Sequence, residues 1–230
     1  MGYIKEHGIK AIVFDIDGTF YPRSAMYLRL FLASLSHPFF SLKYNKMRQA
    51  IRKEDGYESL PMRSHRELSR RAVEIMYDKS DDKSVDEFLR KEDKYFHKRW
   101  EQLYKNLKSF RNVKETLERA KSEKLALGVL SDFPLGVKLE AMGIDQFFSF
   151  KLSSEDIGRF KPNGTPFDVI ADTLKIDRSA ILYVGDSERK DVVGGNKAGF
   201  KTALISKKSE DSIADITARD WKELENRLFD

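Results

Sequence analysis

Apolar runs of two kinds divide the chain. Lys10 to Asp15 (KAIVFD) is short, apolar and ends in an acid, which predicts a buried strand over Ala11 to Phe14. Residues 22–107 differ. Leu28–Leu35, Leu42–Arg52, Arg66–Tyr77 and Val85–Leu103 all suit helices. Leu68, Ala72, Ile75 and Met76 recur at helical spacing. So do Val85, Phe88, Leu89, Phe96 and Trp100, with Lys and Glu interrupting the stripe. No strand candidate falls in this segment, so it reads as a helical insert.

From Asn112 onward, strands and helices alternate. Asn112 and Glu115 resemble an N-cap with its capping partner, and Val113, Leu117 and Ala120 mark one helix face. Leu125–Leu130 reads as a strand, and Pro134 opens a helix that stops at Gly143. Phe147–Leu152 is strand-like, Pro166–Leu174 helical, and Ala180–Val184 a strand ending at Gly185 and Asp186. Arg189–Ala198 is a helix closed by Gly199, and Lys201–Ile205 is the last expected strand. The tail carries Ile213, Ile216, Trp221, Leu224 and Leu228 and is expected to pack on the core. The alternation predicts an α/β fold with a parallel sheet, whose ligands sit beyond the carboxyl ends of the strands.

Composition narrows the picture. A chain of 230 residues favours one domain with a sizeable insert. With 40% hydrophobic and 34% charged residues it is globular rather than disordered. The absence of cysteine excludes disulfides, thiolate zinc sites and a cysteine nucleophile, and fits a reducing compartment. No signal-peptide pattern and no apolar stretch of about 18 residues is found, so a cytoplasmic protein without a membrane partner is expected. The net charge of +5 is local. Residues 21–107 hold 19 Lys+Arg against 13 Asp+Glu, and the rest hold 23 against 24. A local positive field suits any anionic ligand, a small phosphate ester included, and does not single out nucleic acid. Solvated helix faces account for the same charge.

Three strand ends carry candidate chemistry. Asp15 and Asp17, two apart in Asp15-Ile16-Asp17-Gly18-Thr19, can converge at a strand exit, and Gly18 permits a sharp turn after them. Two neighbouring carboxylates repel unless a cation or shared proton separates them. With oxygen ligands only, Mg2+ is the natural choice. Ser131-Asp132 follows LALGVL, where a hydroxyl and backbone N–H groups can hold a phosphate oxygen. Gly185-Asp186-Ser187, with Asp191 beyond, offers further carboxylates. Lys161, followed by Pro162, could neutralise charge during phosphoryl transfer. Each feature alone also suits a solvated turn or a helix cap, and their order raises the functional reading.

FDIDGT at 14–19, VLSD at 129–132, SEDIGRFKPNGTPF at 154–167 and YVGDSERKDVVGGNKAG at 183–199 together resemble the haloacid dehalogenase superfamily of aspartate-nucleophile phosphatases. The resemblance implies a Rossmann-like catalytic core over 1–20 and 108–230, with a helical C1 cap over 21–107. It implies that Asp15 is the nucleophile and Asp17 the general acid and base. Ser131 would bind the phosphoryl group, helped by backbone near Asp132, and Lys161 would hold nucleophile and phosphate. Mg2+ would be held by Asp15, the Asp17 backbone carbonyl and Asp186, with Asp191 behind them or joined through water. The Asp15 and Asp186 strands would lie side by side. Asp17 argues against a dehalogenase, since those members lack this second aspartate. Phe20 stands where leucine is usual, and Asn163-Gly164 where Asp-Pro is common.

The expected substrate is a small phosphorylated metabolite: a sugar phosphate, phosphoglycolate or a nucleoside monophosphate. Thr19 and Arg23 are further substrate-side candidates, Arg23 for a second anionic group. Asp81-Asp82 reads as a helix start, not a metal site. A phosphomutase of the same superfamily, and a non-catalytic anion- or nucleic-acid-binding protein on this fold, remain open alternatives.

Overall fold

The computed structural model describes residues 2–208 and 211–230, with Trp100 described by its backbone alone, so the expected packing of its side chain lies outside the described residues. Six parallel strands form the sheet: β1 (Ala11–Phe14), β2 (Ala126–Ser131), β3 (Phe150–Ser153), β4 (Ile181–Gly185), β5 (Lys201–Ile205) and β6 (Ile216–Ala218). Their order is β3-β2-β1-β4-β5-β6, so β1 lies between β2 and β4. Phe14 pairs with Val129 on one side and Val184 on the other. The residues that follow these three positions therefore emerge together at one edge of the sheet.

All four residues of β1 are buried, as a central parallel strand covered on both faces requires. The two-residue period splits them between two cores. Ile12, Phe14, Leu182 and Val184 face one layer, with Val113, Leu117, Trp221, Leu224 and Leu228 among its helical residues. Val13, Ile181 and Tyr183 face the other, against Phe167 and Ile170. Phe20 belongs to the first layer and stacks on Trp221 at 5.4 Å between ring centroids. An aromatic ring therefore fills the position where leucine was the expected residue.

The helical insert follows β1. After α1 (Tyr3–Glu6) come α2 (Arg23–Ser34), α3 (Pro38–Asp55), α4 (His65–Tyr77) and α5 (Asp82–Glu92). Pro38 opens α3, Ser64 and Glu67 form a capping box on α4, and Asp81 caps α5 by accepting from the Ser84 N–H. The continuous helix expected over Val85–Leu103 is interrupted by a π-helical turn, Asp93–His97, before α6 (Lys98–Tyr104). Tyr44, Met47, Ile51, Leu68, Val73, Phe88 and Phe96 fill the interior of the insert.

In the second half, α7 (Val113–Ser122), α8 (Lys138–Ala141), α9 (Ser154–Ile157), α10 (Thr165–Leu174), α11 (Val193–Lys197) and α12 (Trp221–Phe229) connect and cover the strands. Asn112 does not cap α7 with its side chain; its backbone is left-handed, and its carbonyl accepts from Thr116 instead. The helix expected from Pro134 to Gly143 shrinks to Lys138–Ala141, because the chain first passes through Gly136 at φ +49°. Lys201–Ile205 is not the last strand: Ile216–Ala218 adds a sixth at the edge.

Candidate active site

Asp15 leaves β1 with its backbone N–H donating to the Val184 carbonyl, so the strand ladder itself fixes where its side chain starts. The carboxylate is buried. Oδ1 lies 2.7 Å from the Lys161 ammonium, and Oδ2 accepts from the Thr19 hydroxyl at 3.2 Å. Burial pushes the Asp15 carboxyl up to about 6; Lys161 opposes the rise and Asp191 adds to it. Lys161 has no exposed surface and also reaches Asp191 at 2.7 Å and the Tyr183 hydroxyl at 2.8 Å. Burial would lower its pKa, yet Asp15 and Asp191 hold it above the usual lysine value. Lys161 is thus a fixed cation between an acid just past β1 and an acid in the helical turn that follows β4.

Gly18 makes the turn after these acids at φ +105°, and a Cβ there would strike the Asp186 carboxylate. The close approach brings the loop after β1 against the loop after β4. Asp15, Asp186 and Asp191 each offer a carboxylate oxygen within 4.8 Å of the others. Asp186 Oδ1 is buried with no hydrogen-bond partner. A clustered set of oxygen donors with one orphaned acceptor fits a hard divalent cation. Asp191 also accepts from the Ser187 N–H at 3.0 Å, which orients it from behind.

Asp17 turns its side chain away from this cluster. Its oxygens lie 2.8 and 3.0 Å from the Lys138 ammonium, accept from the Ser131 hydroxyl at 3.0 Å, and bond the Tyr21 hydroxyl. Burial would raise the Asp17 pKa, but Lys138, with Tyr21 and Ser131, holds it below the ordinary value. Two buried lysines therefore serve two carboxylates: Lys161 for Asp15, Lys138 for Asp17. Sequence reasoning missed Lys138, because a lysine in a helical stretch carries no sign of burial.

The remaining candidates take places of their own. Thr19 is buried behind Asp15 and orients it, while its carbonyl accepts from the Trp221 indole at 2.9 Å. Arg23 was expected to face a second substrate anion; its Nε and Nη2 instead lie 2.8 and 2.6 Å from Asp186 Oδ2. The nearest acid in its reach is a carboxylate of the site itself. Asp132 joins the two halves of the fold: Oδ1 accepts from the Lys161 backbone N–H, Oδ2 meets Arg52 at 3.1 Å and Lys190 at 3.4 Å, and its carbonyl accepts from Arg48 at 2.5 Å. Burial would raise its pKa, but Arg52, Lys190 and Lys161 hold it far below the ordinary aspartate value. Asn163 donates to the Asp55 and Glu58 carbonyls and so fastens the end of α3 to the loop after Lys161. Asp15, Asp17, Arg23, Asp132 and Lys190 line a small pocket of about 90 Å³.

A buried acid at the exit of β1, a lysine bridging it to an acid beyond β4, and a hydroxyl at the exit of β2 give the site the layout of an α/β hydrolase. The chain matches the haloacid dehalogenase-like hydrolase family over residues 12–205 and belongs to it. It is 26% identical over 203 residues to the pyrophosphatase PpaX of Bacillus mycoides, covering 86% of this chain and 84% of that one. Among solved structures, a 2-haloacid dehalogenase from Pseudomonas syringae aligns with a TM-score of 0.65 and 23% identity, covering 96% of this chain and 98% of that one. A HAD phosphatase from Thermococcus onnurineus aligns at 0.62 and 22%, with the same coverage. These likenesses carry the fold. Among the described residues, no helix is long and apolar enough to cross a membrane.

Proposed function

We propose that this hydrolase is a Mg2+-assisted phosphatase of small phosphorylated metabolites, working through an aspartyl-phosphate at Asp15. Residues 21–107 would act as its cap over a core of 1–20 and 108–230. The observation that carries the reading is the separate housing of the two acids: Asp15 on Lys161, Asp17 on Lys138 and Ser131. A dehalogenase needs no second aspartate, and here that aspartate has a buried lysine of its own.

In the first step an Asp15 carboxylate oxygen attacks phosphorus and the bond to the leaving oxygen breaks. Asp17, in its protonated form, gives that oxygen a proton and is left as the carboxylate. In the second step water attacks the same phosphorus, Asp17 takes the water's proton, phosphate leaves and Asp15 is restored. Lys161 holds Asp15 in place and meets the charge of the transferring group, and Ser131 with backbone N–H groups beyond β1 and β2 would bind the phosphoryl oxygens. Asp15, Asp186 and the Asp17 carbonyl, with Asp191 behind them, would hold Mg2+, which when bound supplies charge neutralisation for the phosphoryl oxygens. Since Lys138 lowers the share of Asp17 that carries a proton, esters whose leaving groups need little protonation are expected to turn over best.

The test is phosphate release from p-nitrophenyl phosphate, with and without Mg2+, by wild type and Asp15→Asn. The reading expects release that requires both Mg2+ and Asp15. Release by Asp15→Asn at the wild-type rate overturns it. The name of the Bacillus relatives puts inorganic pyrophosphate in the same panel, and sugar isomer formation without phosphate release would favour a mutase.

A further inference from the structure

Most of the exposed large apolar side chains fall close together. Tyr27, Leu28, Phe31, Leu35, Phe39 and Leu42 each expose more than half their surface, and all fall within 16 residues of α2 and the start of α3. A concentrated apolar face marks an interaction site, whereas single exposed residues do not. Part of this face has a destination. Tyr27, Phe31 and Leu42 line a cavity of about 1170 Å³ between the insert and the core. Met26, Tyr27, Phe133 and Lys190 line both this cavity and the small pocket holding Asp15 and Asp17. The two spaces share these walls and so lie side by side, the small one at the acids and the large one beyond.

The wide part has a definite chemistry. Its charged lining residues are all cations: Arg48, Arg52, Lys53, Arg189 and Lys190. No aspartate or glutamate lines it among the described residues. A leaving group rich in hydroxyls would find no carboxylate there, with Asn45, Gln49 and the hydroxyls of Ser34 and Ser41 among its side-chain partners. An apolar chain or ring would find Tyr27, Leu30, Phe31, Leu42 and Phe133. The cavity far exceeds what a second phosphate group would fill.

Resting on the phosphatase reading, we infer that the substrate is an amphiphilic phosphate monoester, its phosphoryl group at Asp15 and an extended apolar leaving group along α2 in the large cavity. Lys190 lines both spaces, and Arg52 of the large one pairs with Asp132 of the small one, so cations stand where the phosphoryl group would approach the acids. The apolar face of α2 outside the cavity continues the path for a longer tail.

A series of p-alkylphenyl phosphates tests this, because lengthening the alkyl chain adds buried surface while the leaving-group pKa stays nearly constant. Esters are kept below the concentration at which they form micelles. kcat/KM is expected to rise about three- to fourfold per methylene until the cavity is filled, and to exceed that for glucose 6-phosphate. Phe31→Ser and Leu42→Ser, both at exposed positions, are expected to flatten this dependence. Asp15→Asn protein, titrated with the same esters, reports tail binding without turnover.

A flat series with glucose 6-phosphate turned over as well as the long esters overturns the inference and leaves the phosphatase reading standing. Tail-dependent binding by Asp15→Asn with no turnover of any ester by wild type overturns the phosphatase reading instead. A stable dimer in sedimentation that Phe31→Ser dissociates would assign the face to a second copy and also overturn the inference.

Discussion

Lys138 is the residue on which the proposed division of labour turns. A buried ammonium at 2.8 Å keeps Asp17 ionised and fixes its direction. Lys138→Met is expected to lower kcat about 10²-fold on esters with good leaving groups, whose turnover depends on the Asp17 carboxylate as base toward water, within the range that a positioned acid or base supplies. Lys138→Arg should restore part of it, and steady-state assays on p-nitrophenyl phosphate check both. Without the lysine, burial is left to raise the Asp17 pKa, so the acidic limb of the pH–rate profile should move to higher pH. An unchanged limb contradicts this account of the pair.

Asp132 gives the corresponding stability prediction. Its folded pKa lies below the unfolded value, so its contribution is present above about pH 4 and fades as pH falls through the folded pKa. Asp132→Asn should therefore destabilise at pH 7 and converge on wild type in acid. Urea unfolding at a series of pH values measures the difference.

At the scale of elements, α3 is the strut between insert and core. Arg48 pairs with Glu155 of α9 at 2.5 Å, both almost fully buried, and its guanidinium lies 4.3 and 4.1 Å from the ring centroids of Phe133 and Phe160. Arg48→Met removes the guanidinium from the buried Glu155 carboxylate and leaves it the Tyr44 hydroxyl, at a cost of about 3–5 kcal/mol. Adding Glu155→Met removes the orphaned charge and should recover much of the loss. A double variant no more stable than Arg48→Met would contradict the pairing.

The elements also show what a sequence reveals. β1, β2 and β4 were legible because buried parallel strands read as largely apolar runs that end at acids or glycine, and β5 because Ala203-Leu204-Ile205 follows the Gly199 turn. β6 was not, since Ile216-Thr217-Ala218 is too short to leave a pattern. The acids at the strand ends were legible as motifs. Lys138, Tyr183 and Arg48 were not, because their roles come from partners 22 to 121 residues away. Charge complementarity at that separation has no local signature.

At the scale of the molecule, one loop from each of β1, β2 and β4 meets where the strands end, and the insert closes over them. The cluster of Asp15, Asp186 and Asp191 should make the folded state bind Mg2+ more tightly than the unfolded chain. At 100 times its Kd, the ion would add about 2.7 kcal/mol, a rise of roughly 5–10 °C in Tm. Asp186→Asn should abolish most of that rise in a thermal scan.

The central claim is that Asp15 carries the phosphoryl group. A rapid acid quench during turnover of p-nitrophenyl phosphate with Mg2+, followed by borohydride reduction and peptide mass spectrometry, reads it directly. Reduction of an aspartyl-phosphate leaves homoserine at the modified position. The account predicts homoserine at position 15 and at no other aspartate. Sustained turnover with position 15 unmodified, or with the label at Asp17, would contradict it.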